Sequence, residues 1–361
     1  MADEPIATMQ KAFSFNMDKH KYGTIAEIGA GQEVSRFFFR AGGAAGTIAK
    51  TISAYDMDFS DAIYGEEADK RYVTENRLKK MLDKEFRLVL DRVGDKRPKD
   101  STYFAFADTI TAKSYSQKGE CHGWLGIKLQ LYPKAAPCEI LLHVRMLDES
   151  NLMQQEAVGI LGVNLIYGAF KYYSDIERLI SSLGDNLEWG RLEIDLIRFS
   201  GPYFENVDNR LMALKLVEME LSDAVVFATD RKTLVHPSDL FYNRELMIMR
   251  SMFKPVTNVS IDMMNSGIEI FLRTAGVNVQ MAMAVPEISI AEMRRLGSLD
   301  MQDILDRVDC LNLLNYPVIV SNYLRFFRVR AYLGRYTKGK VAFVLGIPNL
   351  TTLFNADYYE G

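Results

Sequence analysis

Gly42, Gly43 and Gly46, followed by Thr47 and Lys50, are the residues of this sequence whose types and spacing come nearest to a phosphate cradle. They close the stretch AEIGAGQEVSRFFFRAGGAAGTIAKT, residues 26–51. A glycine-rich turn lets backbone N–H groups approach an anion, and a helix N-terminus adds a favourable dipole. Two familiar templates fail. Gly29-Ala30-Gly31 opens like a dinucleotide fingerprint, but Val34 stands where a third small residue must let strand and helix pack closely. Glu33 would also compete with a phosphate for the positive end of the helix. The Walker pattern needs glycine directly before its lysine, whereas Thr47, Ile48 and Ala49 separate Gly46 from Lys50. With a helix over 47–52, Lys50 lies one turn in, and an anion held between Gly42 and Lys50 is one expectation. Tight packing through Gly42, Gly43, Ala44, Ala45 and Gly46 is the competing and preferred one.

Histidines are scarce. In LLHVRML, Leu141, His143 and Arg145 share one face of a strand and Ile140, Leu142, Val144 and Met146 the other, so His143 and Arg145 project together. Such a pair suits a carboxylate or phosphate, with hydrogen bonds to the hairpin partner or to Glu139 as the bland alternative. A zinc site from Cys121, His122, Cys138 and His143 is disfavoured because adjacent Cys-His is not a usual ligand spacing. The same Cys121-His122 neighbours read as a structural thiol rather than a thiolate pair. Asp56, Asp58 and Asp61 lie close in sequence, as Mg2+ ligands or acid–base groups do, but at these spacings capping and solvation are preferred. No GxSxG elbow is present.

The basic, aromatic segment NYLRFFRVRAYLGRYTKGK starts at Asn322. On a helix, Arg325, Arg328, Tyr332 and Arg335 fall along one face while Phe326, Val329 and Leu333 turn to the core. Asn322, Arg325 and Arg328 therefore stand at the end of the strand PVIVSN, where arginine suits phosphate or carboxylate. A solvated face paired with nearby acids is the preferred alternative, and the net charge of −4 argues against a nucleic-acid track.

The elements that must position these groups read as follows. GTIAEIG is a short buried strand, QEVSRFFFRAGG a helix ended by glycine, and Thr74–Val93 an amphipathic helix with Leu78, Met81, Leu82, Phe86, Val89, Leu90 and Val93 on one stripe. TYFAFADTI, GIKLQLY and EILLHVRML are β-rich, the last two forming an antiparallel hairpin across PKAAP. From Arg191 onward strands and helices alternate, which predicts a mostly parallel sheet with covering helices. The expected class is thus α/β, with a mixed α+β region over 1–188 and a parallel region over 189–361, joined near SSLGDNLEWG. In such sheets ligands sit beyond the carboxyl ends of the strands, which singles out Ser200, Thr229, Asp230, residues 255–258, Glu287, Ser321, Asn322 and Gly346.

Length and composition bound the partners. The 361 residues, 48% hydrophobic and 25% charged, suffice for two cores. Three cysteines without a CxxC pair, and an acidic N-terminus without an apolar leader, predict a cytoplasmic protein. The longest apolar stretch, 157–170, is too short to span a bilayer, so no membrane is expected.

The blocks KYGTIAEIGAGQEVSRFFFRAGGAAGTIAKTISAYDM, ECHGWLGIKLQ, HVRMLDESNLMQQEAVGILGVNLIYGAF, FSGPYFENVDNRLMALKLV and SNYLRFFRVRAYLGRYTKGK resemble a family of bacterial cytoplasmic proteins. Its members carry the inconsistent labels TonB-dependent receptor and nicotinate-nucleotide adenylyltransferase. The resemblance spans nearly the whole chain and carries no functional residues with it. It implies a C-terminal segment beyond FNADYYEG as part of a complete site. Neither label fits the residues: a receptor of that kind needs a leader and many membrane strands, and an adenylyltransferase needs an HxGH-type loop that His20, His122, His143 and His236 do not form. Two functional classes remain. One is an enzyme or binding protein for a phosphorylated, nucleotide-like or otherwise anionic small metabolite. The other is a homo-oligomeric scaffold in which 18 methionines, 18 tyrosines and segments such as RFFFR and ADYYEG serve interfaces. No cofactor and no metal follows from these residues.

Overall fold

In the computed structural model, residues 5–68, 70–113, 121–231, 234–297, 299–355 and 358–359 are described. The chain divides into two compact units, Met1–Met212 and Ala213–Gly361. The first contains α1 (Thr8–Asn16), β1 (Lys21–Gly29), α2 (Glu33–Ala41), β2 (Ile48–Ser53), α3 (Met57–Tyr64), α4 (Glu75–Val93), β3 (Thr102–Thr111), β4 (His122–Leu129), β5 (Cys138–Met146), α5 (Asn151–Lys171), α6 (Ile176–Leu183) and β6 (Leu192–Ser200). After α7 (Asn209–Glu218) come β7 (Ala224–Phe227), α8 (Pro237–Phe241), β8 (Glu245–Arg250), α9 (Asn258–Leu272), β9 (Ala282–Ser289), α10 (Ile290–Arg295), α11 (Met301–Leu313), β10 (Val318–Ser321), α12 (Phe326–Tyr336), β11 (Val341–Val344) and α13 (Ile347–Leu353).

The first sheet has the order β2-β1-β3-β4-β5-β6. Its first three strands run parallel, and β3 through β6 pair antiparallel. The apolar stripe of α4 covers one face: Leu78, Met81, Leu82, Phe86 and Val89 pack on Ala26, Ala105 and Ala107, with Thr74 capping the helix through the Arg77 amide. On the other face α1, α2 and α5 assemble around Phe15, Phe38, Phe104 and Phe170, whose rings meet at 5.4–5.8 Å. α5 is buried on nearly every side, as its apolar sequence requires. Gly162 lets α2 approach it: a Cβ there would lie 2.4 Å from a Val34 methyl.

Four expectations change. The strand RLEIDLIRF, placed in the parallel region by its sequence, is β6 and pairs with β5 in the first sheet. The division therefore falls after Met212, not at 188/189. The expected linker 181–190 is tied down, since Asn164 donates to the carbonyls of Leu183 and Asp185, and Asp185 holds the buried Lys11 at 2.6 Å. The β4–β5 connection spans 130–137 rather than PKAAP alone.

The second sheet has the order β11-β8-β9-β10-β7, parallel except for the antiparallel β7 at its edge. Phe241, Leu246, Ile248, Val285, Ile319, Val329, Tyr332 and Leu333 fill its core. Among the described residues no helix is long and apolar enough to cross a membrane. The class is α/β, with a mixed N-terminal half that holds an antiparallel hairpin and a mostly parallel C-terminal sheet. Of ADYYEG, only Tyr358 and Tyr359 lie within the described residues.

Candidate functional site

The groups with the clearest chemical arrangement lie on β4, β5 and β6. β6 carries an irregularity: Val144 pairs with Ile194 and His143 with Leu196, so Asp195 is an extra residue with no partner in the ladder. Such a bulge re-aims a side chain. Here it turns Asp195 toward His143, whose Nδ1 lies 2.5 Å from Asp195 Oδ1. The far side of the ring, Nε2, is 3.1 Å from His122 Nδ1 on β4. Trp124 packs against His143 with ring centroids 4.9 Å apart, which holds the imidazole in plane. A carboxylate accepts, so His143 carries its proton on Nδ1 and offers the Nε2 lone pair to His122 Nδ1–H. The line of contacts thus runs from Asp195 through His143 to the half-buried His122. Beside it, opposite His122 in the register, Arg145 donates to Glu193 at 2.6 Å.

His143 and Arg145 thus sit together as their spacing implied, but their counter-groups are Asp195, His122 and Glu193 rather than Glu139. Glu139 instead accepts from Lys128 at 2.7 Å. The zinc quartet does not assemble. Cys138 is five residues along β5 from His143, roughly 17 Å at the rise of a strand, and its sulfur accepts from the Tyr203 amide.

The glycine loop is engaged by its own surroundings. Asn16 donates to the carbonyls of Phe38 and Gly42 and accepts from Thr47 Oγ1. Gly43 lies against Met17, where a Cβ would come within 2.2 Å of its methyl. The amides of Gly46 and Thr47 bond to Gly43 and Ala44, and the Gly46 carbonyl accepts from Arg97. Residues 44–46 make a single 3-10 turn, and Lys50 sits on β2, not on a helix. Its ammonium is 2.5 Å from the buried Glu85, which also accepts from Tyr64. The loop has neither the helix N-terminus nor the spare lysine that an anion requires. Nor does it reach His143, since β2 and β5 are four strand steps apart, roughly 19 Å. Of the three aspartates nearby, Asp56 caps α3, and Asp61 accepts from Arg77 and Tyr72.

Two further acids in the first unit were missed by motif reasoning. At the carboxyl ends of β1 and β3, Glu27 and Asp108 are register partners, and both are buried. The signal was present as a lone acid inside each of two apolar strands, TIAEIG and YFAFADTI.

In the second unit the crest of the sheet is an ion pair. Arg250 at the end of β8 grips both oxygens of the fully buried Glu287 at 2.5 and 2.8 Å. Ser321 at the end of β10 donates to the same carboxylate at 2.5 Å. Arg250 also donates to the Leu324 carbonyl and stacks on Phe326. This fixes the turn that carries Asn322 and Arg325. Asn322 accepts from Arg294 at 3.5 Å, and Arg325 lies over the Tyr358 ring at 4.7 Å. Arg328 is exposed over Phe327. Tyr332, expected on the cationic face, is buried beside Tyr323 and Tyr336, while Arg325 precedes α12 and is not on a helical face. A groove of about 390 Å³ runs between α9, β8 and β11, lined by Met247, Met263, Phe271, Phe343 and Val344.

No protein-family model and no curated protein matches the chain. Solved structures similar to it include the competence/damage inducible protein CihA from Agrobacterium tumefaciens, with TM-score 0.32 and 14% identity, over 46% of this chain and 97% of that one. A competence or damage-inducible protein from Enterobacter asburiae gives 0.32 and 13% over 45% and 96%. A competence-damaged protein (CinA) superfamily protein from Escherichia coli gives 0.30 and 10% over 44% and 84%. At these TM-scores the similarities carry no functional argument.

Proposed function

We propose that this chain is an enzyme whose first unit performs acid–base chemistry on a small polar metabolite, with His122 as the group that exchanges the proton. The observation that carries this reading is the unbroken line Asp195–His143–His122. Asp195 orients His143, and His143 in turn orients His122. Arg145 is balanced by Glu193, and with neutral imidazoles the five groups sum to one negative charge. That balance suits removal of a proton from a hydroxyl or amide better than capture of a phosphate.

A separate reading, of an anionic ligand held within the second unit alone, has its own support there. Among the described residues Arg325 pairs with no acid, and it stands just past the end of β10 on a turn held by Arg250 and Ser321. We place the anion-recognising group there, with Asn322 and Arg328 beside it, and withdraw that role from Gly42, Gly43, Gly46, Thr47 and Lys50. The scaffold alternative draws on one observation, the apolar groove along α9, where Val259 and Ile270 are exposed.

A thermal-shift screen of the whole chain against nucleotides and sugar phosphates tests the reading. A nucleotide or sugar phosphate that stabilises the chain is expected to lose its effect in Arg325→Ala and keep it in Lys50→Ala. Turnover of a compound the chain acts on, whether or not Arg325 binds it, is expected to fall at least 100-fold in His143→Gln and in Asp195→Asn. Turnover as high as that of the native chain in either variant would remove the relay from the mechanism. A stable oligomer by light scattering, with no response to any compound, would favour the scaffold.

A further inference from the structure

Glu27 and Asp108 face each other across β1 and β3, in register and on the same side of the sheet. Glu27 accepts from both the amide and the hydroxyl of Ser35 at 3.2 Å, in the first turn of α2. Asp108 is fully buried, and among the described residues no side chain donates to either of its carboxyl oxygens. It presses instead on the β1–α2 turn: a Cβ at Gly31 would lie 1.9 Å from Asp108 Oδ1. Gly29, at the start of that turn, has φ +83° and a backbone contact with Ile110 that no side chain would permit. The turn is therefore built onto the two acids rather than merely near them.

Two carboxylates this close and this buried do not ionise together. We propose that Glu27 and Asp108 hold one proton between them and that this proton latches the β1–α2 turn, so that its loss releases the first turn of α2. When both acids are charged, their repulsion has to outweigh the stronger bonds that Ser35 makes to a charged Glu27, and it is through this residue that the first turn of α2 is pushed from the sheet. Burial raises Glu27 to about 7, with the charge of Glu33 adding to it, while the Ser35 bonds oppose the rise. Burial and the Glu27 charge push Asp108 well above the usual carboxylate range, and the Ile28 amide offsets only a small part.

The other charges on the packed elements are committed elsewhere. On α2, Glu33 is paired with Arg36 at 2.7 Å. On α5, Glu156 meets Arg191 at 3.1 Å, and on α1, Lys11 meets Asp185. No cation among these neutralises the pair, so its proton is what makes burial tolerable.

The sign follows from linkage. In the unfolded chain both acids ionise near pH 4–5, whereas in the folded chain they keep a proton to about pH 7 and beyond, so stability falls as pH rises through that interval. Thermal unfolding of the whole chain between pH 5 and 8 is expected to show a midpoint falling by roughly 5 °C or more, and Asp108→Asn is expected to flatten that fall. Hydrogen exchange at residues 32–36, corrected for the intrinsic rate, is expected to quicken above pH 8 in the native chain and not in Asp108→Asn. Carboxyl carbon NMR gives a reading independent of folding yield. If Glu27 and Asp108 both titrate near pH 4, or if Glu27→Gln and Asp108→Asn keep the native pH profile, the latch is overturned. His143 and Asp195 take no part in these measurements, so failure here leaves the relay standing.

Discussion

Lys50 and Glu85 sit in unequal surroundings: the carboxylate is buried, while about a third of the lysine side chain reaches solvent. Removing the lysine strands a buried charge, so Lys50→Ala is expected to lower stability by about 1–3 kcal/mol in urea denaturation. Lys50→Met with Glu85→Leu should recover most of the loss, because two apolar groups leave nothing unpaired. Asp195 governs a different property. Its carboxylate selects the Nδ1–H tautomer of His143, and Asp195→Asn offers an NH2 group that prefers a bare Nδ1. Nitrogen-15 NMR at neutral pH is expected to show the proton moving to Nε2, with little change in the unfolding midpoint. An unchanged tautomer would mean that His122, not Asp195, sets the ring.

Helix and strand packing gives predictions of another size. Gly162 faces Val34, so Gly162→Leu must push α2 from α5, at an expected cost of more than 2 kcal/mol by thermal or chemical unfolding. Gly42, at φ +82° and ψ 163°, lies in a region that essentially only glycine adopts, so despite the open space around it Gly42→Ala is expected to cost about 1–3 kcal/mol. How much of this was legible varies with the kind of element. The α4 stripe and the β4–β5 hairpin are stated by periodicity, because each buries one face against a single neighbour. Lys50 was misplaced on a helix although Thr47, Ile48, Thr51 and Ile52 are β-branched, a strand signal that the preceding glycines obscured. β6 was assigned to the wrong sheet because alternation reports a half-buried strand and not its neighbours. Of the site, His143 and Arg145 could be seen on one strand face. Asp195, Glu193 and His122 could not be joined to them, since their meeting depends on strand order and on one residue out of register.

At the scale of the whole chain, the strand order decides where it can be divided. A fragment ending at residue 188 lacks β6 and exposes the edge of β5, while one ending at 212 retains the full first sheet. The longer fragment is expected to unfold cooperatively and give dispersed NMR spectra, and the shorter one to aggregate or stay unfolded. Circular dichroism melts of the two decide it. β6 also carries a trade-off that a sequence editor would meet. Deleting Asp195 alone would leave Glu193 opposite Arg145, Ile194 opposite Val144 and Leu196 opposite His143, each with its present partner. The shortened strand would form a regular, less twisted ladder and a sturdier sheet, and it would have discarded its only acid within reach of His143 among the described residues of the first unit. Removing that one residue would thus exchange the carboxylate beside His143 for an unbroken ladder.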